Sequence, residues 1–144
     1  MCGIAGSTNV DESTLERFAA QLAHRGPDDR GIWREENVGL AHTRLAIIDL
    51  SAGGHQPMAS TCGRWVIAYN GEIYNYRELK SQLEATGERF RSTSDTEVLL
   101  TLLMREGVSA LERVSGMFAL ALWDRARQEL LLARDRLGIK PLVY

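Results

Sequence analysis

One apolar segment near the end of the chain constrains the fold more than any other part of the sequence. Residues Gly116–Trp123 read Gly-Met-Phe-Ala-Leu-Ala-Leu-Trp, and a second apolar segment, Glu129–Arg134, follows after a short polar connection. Two short and nearly continuous apolar runs of this kind are typical of neighbouring strands that are buried on both faces. A sheet buried on both faces needs a further layer on each side, so the sequence predicts a layered α+β domain.

The remaining strands are predicted from shorter apolar segments. Two of them, Gly31–Arg34 and Val38–Arg44, are predicted to form a hairpin around the turn Glu35-Glu36-Asn37. The tail 135–144 is predicted to turn and begin a further strand. The other predicted strands are Cys2–Ser7 and Arg64–Tyr69, and Leu45–Leu50 is predicted to continue from Arg44 in extended form.

Capping patterns mark the helix starts. Ser13 and Glu16 have the spacing of a capping box, as do Ser94 and Glu97, and Asn75 precedes a further apolar-periodic segment. The predicted helices are therefore one that ends at Gly26-Pro27, one at Tyr76–Thr86, one that starts at Ser94 and a short one at about Ser109–Arg113.

The first residues of the chain carry a chemical signal. Cys2 follows the initiator methionine, so removal of Met1 would leave a thiol and a free α-amino group on the same residue. With ordinary pKa values of about 8.5 for the thiol and about 7.7–8.0 for the amine, the amine can act as base toward the thiol. This combination is a nucleophile with its own general base. Taken alone, the same residues also suit a small buried strand with a chance cysteine.

Three further positions suit either structure or chemistry. Arg44 directly precedes an apolar run, where its guanidinium is either a surface charge or a bidentate carboxylate clamp. The Asn70-Gly71 pair follows a buried strand and favours a turn, although its amide groups are also of the kind that forms an oxyanion hole. Asp95 lies in the first turn of a predicted helix, where a negative charge also stabilises the helix dipole.

Composition excludes several classes of function. The formal net charge of −2 gives no electrostatic case for binding nucleic acid, and no apolar run approaches the roughly 18 residues of a membrane span. Cys2 and Cys62 form neither a CxxC pair nor a disulfide framework, and together with His24, His42 and His55 they lack zinc-ligand spacing. The start of the chain has no signal-peptide pattern. We therefore expect a cytoplasmic protein without a metal site.

Six motifs, taken in order, resemble the glutaminase half of glutamine-hydrolysing asparagine synthetases. That domain is a class II glutamine amidotransferase of the N-terminal-nucleophile (Ntn) hydrolase superfamily. The resemblance spans the whole chain and implies an αββα sandwich of two mostly antiparallel sheets between helix layers. The motifs are Met-Cys-Gly-Ile-Ala-Gly at 1–6, His-Arg-Gly-Pro-Asp at 24–28, Arg-Leu-Ala-Ile-Ile-Asp at 44–49, Asn-Gly-Glu-Ile-Tyr-Asn at 70–75, Ser-Asp-Thr-Glu at 94–97 and Arg-Asp-Arg-Leu-Gly-Ile-Lys-Pro-Leu at 134–142.

The resemblance implies catalytic roles for three residues. Cys2, freed of Met1, is implied as the nucleophile, with its own α-amino group as the base. The Asn70 side-chain amide and the Gly71 N–H are implied as the oxyanion hole. Arg25 is implied to brace the segment next to the nucleophile without taking part in the chemistry.

The resemblance also implies a glutamine pocket. Arg44 is implied to pair with the α-carboxylate of glutamine, while Glu72 and Asp95 are implied to hold its α-ammonium group. Backbone groups near Ile47 are implied to complete the pocket.

The implied reaction is hydrolysis of glutamine to glutamate and ammonia through a γ-glutamyl thioester. The ammonia would serve ATP-dependent amidation of aspartate, or of a related carboxylate, by a synthetase domain in cis or in trans. The glutaminase half needs no cofactor, whereas ATP and Mg²⁺ belong to the synthetase half. We expect residues 1–144 to be a glutaminase domain that is incomplete at its C-terminus and lacks the synthetase domain. Its expected partners are glutamine and that synthetase domain, not nucleic acid or a membrane, and a homodimer is left open.

Three alternatives stay open from the sequence. The chain is also similar to the amidotransferase halves of glucosamine-6-phosphate synthase and of the phosphoribosyl-pyrophosphate amidotransferase, although the motif at 135–142 favours the asparagine-synthetase type. A non-catalytic or truncated amidotransferase-like module is the second alternative. The third is a Cys–His hydrolase, which needs His24, His42 or His55 beside Cys2.

Overall fold

The computed structural model describes all 144 residues, and seven strands in it form two antiparallel sheets. The first sheet has the order β1-β3-β2, and the second has the order β4-β5-β6-β7. The strands are β1 Gly3–Thr8, β2 Asp29–Glu35, β3 Val38–Arg44, β4 Met58–Ala59, β5 Trp65–Ile73, β6 Gly116–Asp124 and β7 Glu129–Arg134.

Three α-helices cover the outer faces of the two sheets. Helix α1 (Glu12–Leu22) packs on the first sheet through Leu15 and Ala19. Helices α2 (Tyr76–Ala85) and α3 (Asp95–Glu106) pack on the second sheet, around a core of 16 buried apolar residues. No helix is long and apolar enough to cross a membrane. Short 3₁₀ turns lie at Ala23–Arg25, Ala52–Gly54 and Gly107–Glu112, the last in place of the short helix predicted at 109–113.

The inner faces of the two sheets pack against each other. Leu40 of the first sheet lies in one buried cluster with Val66, Ala68 and Ala121 of the second. The layers therefore run helix, sheet, sheet, helix, and the predicted αββα sandwich is confirmed. Because side chains alternate along a strand, the face of β5 that carries Val66 and Ala68 also carries Asn70 toward the first sheet.

The turn predicted at Asn70-Gly71 is wrong. Strand β5 runs straight through this pair, and Gly71 is matched with Phe118 in the ladder between β5 and β6. A Cβ atom on Gly71 would lie 2.4 Å from the carbonyl oxygen of Met117. The glycine is therefore needed for the close approach of β6 and not for a reversal of the chain.

The predicted capping boxes are also wrong in detail. Helix α1 is capped by Asp11, whose carboxylate accepts a hydrogen bond from the Thr14 N–H at 2.8 Å, and Ser13 lies inside the helix. Ser94 does cap α3, accepting from the Thr96 N–H at 3.2 Å. Glu97 turns away and accepts from the backbone N–H groups of residues 91 and 92. The carboxylate thus orders the preceding loop instead of the helix end.

Asn75 stands at the start of α2 but does not cap it with its side chain. Its carboxamide donates to the Arg113 carbonyl at 2.9 Å and accepts from the Ser115 N–H at 3.0 Å. These two bonds tie the start of α2 to the segment that leads into β6. The side chain therefore makes a tertiary link where the sequence predicted a local one.

Strand β7 is not buried on both faces as predicted. It pairs only with β6, so it is the edge of the second sheet, and its Leu130 and Leu132 are exposed. Leu131 and Ala133, on the other face, pack against the core. Two further predictions are wrong, because Leu45–Leu50 is an irregular loop and no strand follows residue 134.

Candidate active site

One cavity lies where the start of β1, the loop after β3 and the end of β5 meet. Its volume is about 90 Å³, several times the roughly 15 Å³ that a single water molecule needs. The wall includes Met1, Gln56, Tyr69, Met117 and Lys140. All seven residues predicted for the site also line it, namely Cys2, Arg44, Ile47, Asn70, Gly71, Glu72 and Asp95.

Cys2 is half-buried and directly precedes β1. Its sulfur accepts a hydrogen bond from the Leu45 N–H at 3.4 Å and lies 3.7 Å from the Leu45 carbonyl oxygen. The Arg25 Nε donates to the Cys2 carbonyl at 3.1 Å. Contacts from two separate loops therefore fix the thiol at the wall of the cavity, and Arg25 touches the backbone of Cys2 and not its sulfur.

Asn70 and Glu72 project from the same face of β5, two residues apart. Asn70 is buried, yet its carboxamide has no hydrogen-bond partner within the protein, and the same holds for the half-buried Glu72 carboxylate. Polar side chains in such positions normally have a partner. Two amide N–H donors and one carboxylate are thus free to meet a polar ligand in the cavity.

Arg44 ends β3, and the following loop wraps around its guanidinium. The guanidinium donates to the carbonyl of Ser51 at 2.8 Å and to that of Asp49. Asp49 in turn accepts from Ser51 and from the Thr93 N–H, and these hydrogen bonds, led by the Ser51 hydroxyl, lower the pKa of its carboxyl to about 2. The segment 45–50 is therefore a loop and not a strand, because the chain bends to bring the carbonyls of Asp49 and Ser51 to a buried cation.

Asp95 is the first residue of α3 and is buried against β5. Its Oδ2 accepts from the Tyr69 hydroxyl at 2.9 Å and from the Ile73 N–H at 3.0 Å. Burial raises the pKa of the Asp95 carboxyl above its usual value, although these hydrogen bonds oppose the shift. A cation bound in the cavity would offset the same burial. Asp95 thus joins the start of α3 to β5 and also lines the cavity.

The cavity has electrostatic poles of opposite sign. Arg44 supplies a buried positive charge, while Glu72 and Asp95 supply carboxylates. Ile47 lies in the loop between these elements with 67% of its surface exposed, so it belongs to the rim. The arrangement suits a small zwitterion whose reactive end lies near Cys2 and Asn70.

Gln56 and Lys140 are two of the wall residues that were not predicted to belong to the site. Gln56 is buried, and its carboxamide accepts from the Tyr69 N–H at 2.7 Å and donates to the Thr96 hydroxyl at 3.2 Å. It thereby joins β5 to α3 behind the site, and nothing in its local sequence indicates this. Lys140 lies within a motif that the sequence did highlight, but no role was assigned to it.

None of the three histidines lines the cavity. His24 is exposed, and His55 is exposed and pairs with Asp29 at 2.7 Å. His42 lies between the sheets, where it contacts the Tyr69 carbonyl at 3.1 Å and burial lowers its pKa to about 4. The Cys–His alternative therefore has no histidine in place. The chain also contains no cluster of His, Cys, Asp and Glu side chains that could hold a metal ion.

Comparisons with known proteins show the family of this chain. Residues 1–144 match a family model described as a glutamine amidotransferase domain. The chain is 43% identical to asparagine synthetase [glutamine-hydrolyzing] 3 of Bacillus subtilis, over 100% of this chain and 25% of that protein. It is 41% identical to asparagine synthetase B [glutamine-hydrolyzing] of Escherichia coli, over 99% of this chain and 26% of that protein. The chain thus spans about a quarter of the length of these relatives.

A solved structure is similar in fold. The glutamine phosphoribosylpyrophosphate amidotransferase from B. subtilis, complexed with ADP and GMP, superposes with a TM-score of 0.77. The match covers 97% of this chain and 38% of that one, at 24% sequence identity. At that identity the likeness concerns the fold alone, which is the αββα sandwich described above.

Proposed function

This chain belongs to the glutamine amidotransferase family, and from that premise we propose that it hydrolyses glutamine to glutamate and ammonia with Cys2 as the nucleophile. One observation carries the proposal. Seven residues that are scattered from position 2 to position 95 line a single cavity, with the thiol and an unpartnered carboxamide in the same wall.

Glutamine matches the charges of the cavity. As a free amino acid it carries one carboxylate and one ammonium group, and its reactive amide lies at the far end of a short chain. Arg44 would receive the α-carboxylate through the guanidinium N–H groups that the loop leaves free, while Glu72 and Asp95 would receive the α-ammonium group. The side-chain amide would then extend toward Cys2 and Asn70.

The chemistry requires Met1 to be removed, because a peptide bond on Cys2 leaves no basic amine. The freed α-amine would take the thiol proton while the sulfur attacks the amide carbon of glutamine. The oxyanion would accept hydrogen bonds from the Asn70 side chain and the Gly71 N–H. The amine would pass its proton to the departing ammonia, which leaves a γ-glutamyl thioester that one water molecule hydrolyses to glutamate.

The Cys2 thiol, its α-amine and one water molecule account for every bond and proton in these steps, so the proposed reaction uses no metal or organic cofactor in this domain. The names of the relatives, which are glutamine-hydrolysing asparagine synthetases, support use of the ammonia to make asparagine. We propose that a synthetase domain, in cis or in trans, amidates aspartate with ATP and Mg²⁺. We place the reaction in the cytoplasm, because a reducing compartment keeps Cys2 and the exposed Cys62 as free thiols.

The decisive experiment compares two chains that differ only at the amino terminus. One is released by a protease so that it begins at Cys2, and the other keeps a blocking peptide in front of Cys2. We expect glutamate release from glutamine by the first chain and at least about a 10²-fold lower rate for the second, since only the first has the general base. Equal rates would contradict the N-terminal mechanism.

The placement of Arg44 gives a separate prediction about substrate affinity. A Cβ atom on Gly54 would lie 2.0 Å from a terminal guanidinium nitrogen of Arg44, so Gly54→Ala should push the buried guanidinium out of position. We expect the KM for glutamine to rise about 10-fold to 100-fold with kcat changed little, because a hydrogen bond between charged groups is weakened. Steady-state kinetics would measure both constants. Ala52→Gly, at an exposed position in the same turn, should leave the KM unchanged.

A further inference from the structure

Lys140 is a buried lysine without a counterion. Only 3% of its surface is exposed, it forms no salt bridge, and the one hydrogen-bond partner of its Nζ is the Met1 sulfur, at 2.7 Å. Lysine is rarely buried unless its charge is paired, because an unpaired ammonium group loses its hydration. The head group lines the same cavity as Cys2. An uncompensated charge in this position calls for a functional explanation.

The backbone around Lys140 is held in place by a single carboxylate. Asp135 accepts hydrogen bonds from the N–H groups of Lys140 at 3.0 Å, Ile139 at 2.9 Å and Phe118 at 3.1 Å. Phe118 pairs with Gly71 across the ladder of the second sheet. Asp135 therefore fastens the lysine segment to the strand beside the proposed oxyanion donors.

Removal of Met1 changes the surroundings of this ammonium group. The Met1 sulfur, which is the hydrogen-bond partner of Lys140 Nζ, leaves with the methionine. The new α-amino group forms on Cys2, the next residue of the chain. Apart from Lys140, the charged residues that line the cavity with Cys2 are Arg44 and the carboxylates Asp49, Glu72 and Asp95, and Arg25 bonds to the Cys2 carbonyl. Asp95 already accepts two hydrogen bonds on one oxygen. Lys140 thus supplies a fixed positive charge next to the mature amino terminus.

We propose that Lys140 is a positioning residue that makes the Cys2 amine–thiol pair release its first proton at lower pH. A nearby cation disfavours the protonated amine and favours the thiolate, so both effects act in the same direction. The thiol proton still travels through the α-amine to ammonia, and Lys140 takes no part in that transfer. This inference rests on the proposed function, because easier loss of the proton matters only if Cys2 is the nucleophile. The effect of Lys140 on the reactivity of Cys2 can be measured without glutamine hydrolysis.

The first test follows alkylation of Cys2 by iodoacetamide as a function of pH. The chain should begin at Cys2 and carry Cys62→Ser, because the exposed Cys62 would react as well. The rate reports the thiolate fraction. In Lys140→Met we expect the midpoint to rise by about one pH unit, which is roughly a tenfold slower reaction below the midpoint. Lys140→Arg should keep the midpoint near that of the unsubstituted chain.

A second neutral variant, Lys140→Gln, guards against a folding defect in Lys140→Met. An unchanged midpoint in whichever neutral variant folds would overturn the proposal. A uniformly slower reaction with the midpoint unmoved would also overturn it, because that result indicates a structural role alone.

The second test measures glutamate release across the same pH range. In Lys140→Met the acid limb of the kcat/KM profile should move to higher pH by the same amount. At pH values above the acid limbs of both chains, the variant should be nearly as fast as the unsubstituted chain. If the chain is alkylated with the expected shift but never hydrolyses glutamine, the proposed function fails and the role of Lys140 stands. If the chain hydrolyses glutamine but its pH profile is not shifted in Lys140→Met, the proposed function stands and the role of Lys140 fails.

Discussion

Replacing Cys2 with alanine is expected to abolish glutamate release from glutamine, with a loss of at least about 10⁴-fold in kcat. The alanine variant keeps the α-amine, the pocket and the oxyanion donors, so only the nucleophile is lost. The fold should persist, because the sulfur contacts only the Leu45 backbone, at 3.4 and 3.7 Å. Assays should use a chain that begins at residue 2, as shown by its mass.

Cys62→Ala is the matched control for this substitution. Cys62 is the only other cysteine, is exposed and lies outside the cavity, where its sulfur contacts the Ser60 hydroxyl at 3.3 Å. This variant should hydrolyse glutamine at the unsubstituted rate. A Cys2→Ala chain that kept substantial activity would show that another group attacks the amide, and the assignment of the nucleophile would be wrong.

Replacing Asn70 with alanine is expected to lower kcat by about 10²–10³ with little change in the KM for glutamine. The Asn70 carboxamide makes no hydrogen bond within the protein, so its removal breaks no structural contact, and its proposed partner exists only during the reaction. The variant should therefore unfold at nearly the same temperature as the unsubstituted chain. Kinetics at saturating glutamine, together with a thermal melt, would measure both quantities.

Asn75→Ala, five residues later in the same motif, is the matched control and is expected to lose stability but not kcat. The Asn75 side chain makes two structural hydrogen bonds, to Arg113 and Ser115, and lies outside the cavity. Its loss should lower the free energy of unfolding by about 1 kcal/mol and leave kcat nearly unchanged. If Asn70→Ala instead loses stability and keeps its kcat, the carboxamide is structural and the oxyanion hole lies elsewhere.

The sequence alone determined the class of fold and the members of the site. The apolar run of β6 predicted a layered α+β domain, because a strand that is buried on both faces has a nearly continuous apolar sequence. The site members came from the order of six motifs, from Cys2 to the segment around Lys140, and the structure brings all seven predicted residues to one cavity. The resemblance of these motifs to a known family was needed for this, since residue type alone left Arg44, Asn70 and Asp95 open to structural roles.

Only the tertiary structure decided what those side chains contact. Gly71 looked like a turn residue because Asn-Gly pairs favour turns, but the approach of β6, which cannot be read locally, makes it a strand residue. Asn75 looked like a local cap but bonds to Arg113 and Ser115, whereas Glu97 bonds to the loop just before α3. Lys140 looked like an ordinary charged residue until its burial beside the amino terminus was visible. For Gly71, Asn75 and Lys140 the deciding partner is distant in sequence, and the energy of a polar side chain depends on which partner the folded chain supplies.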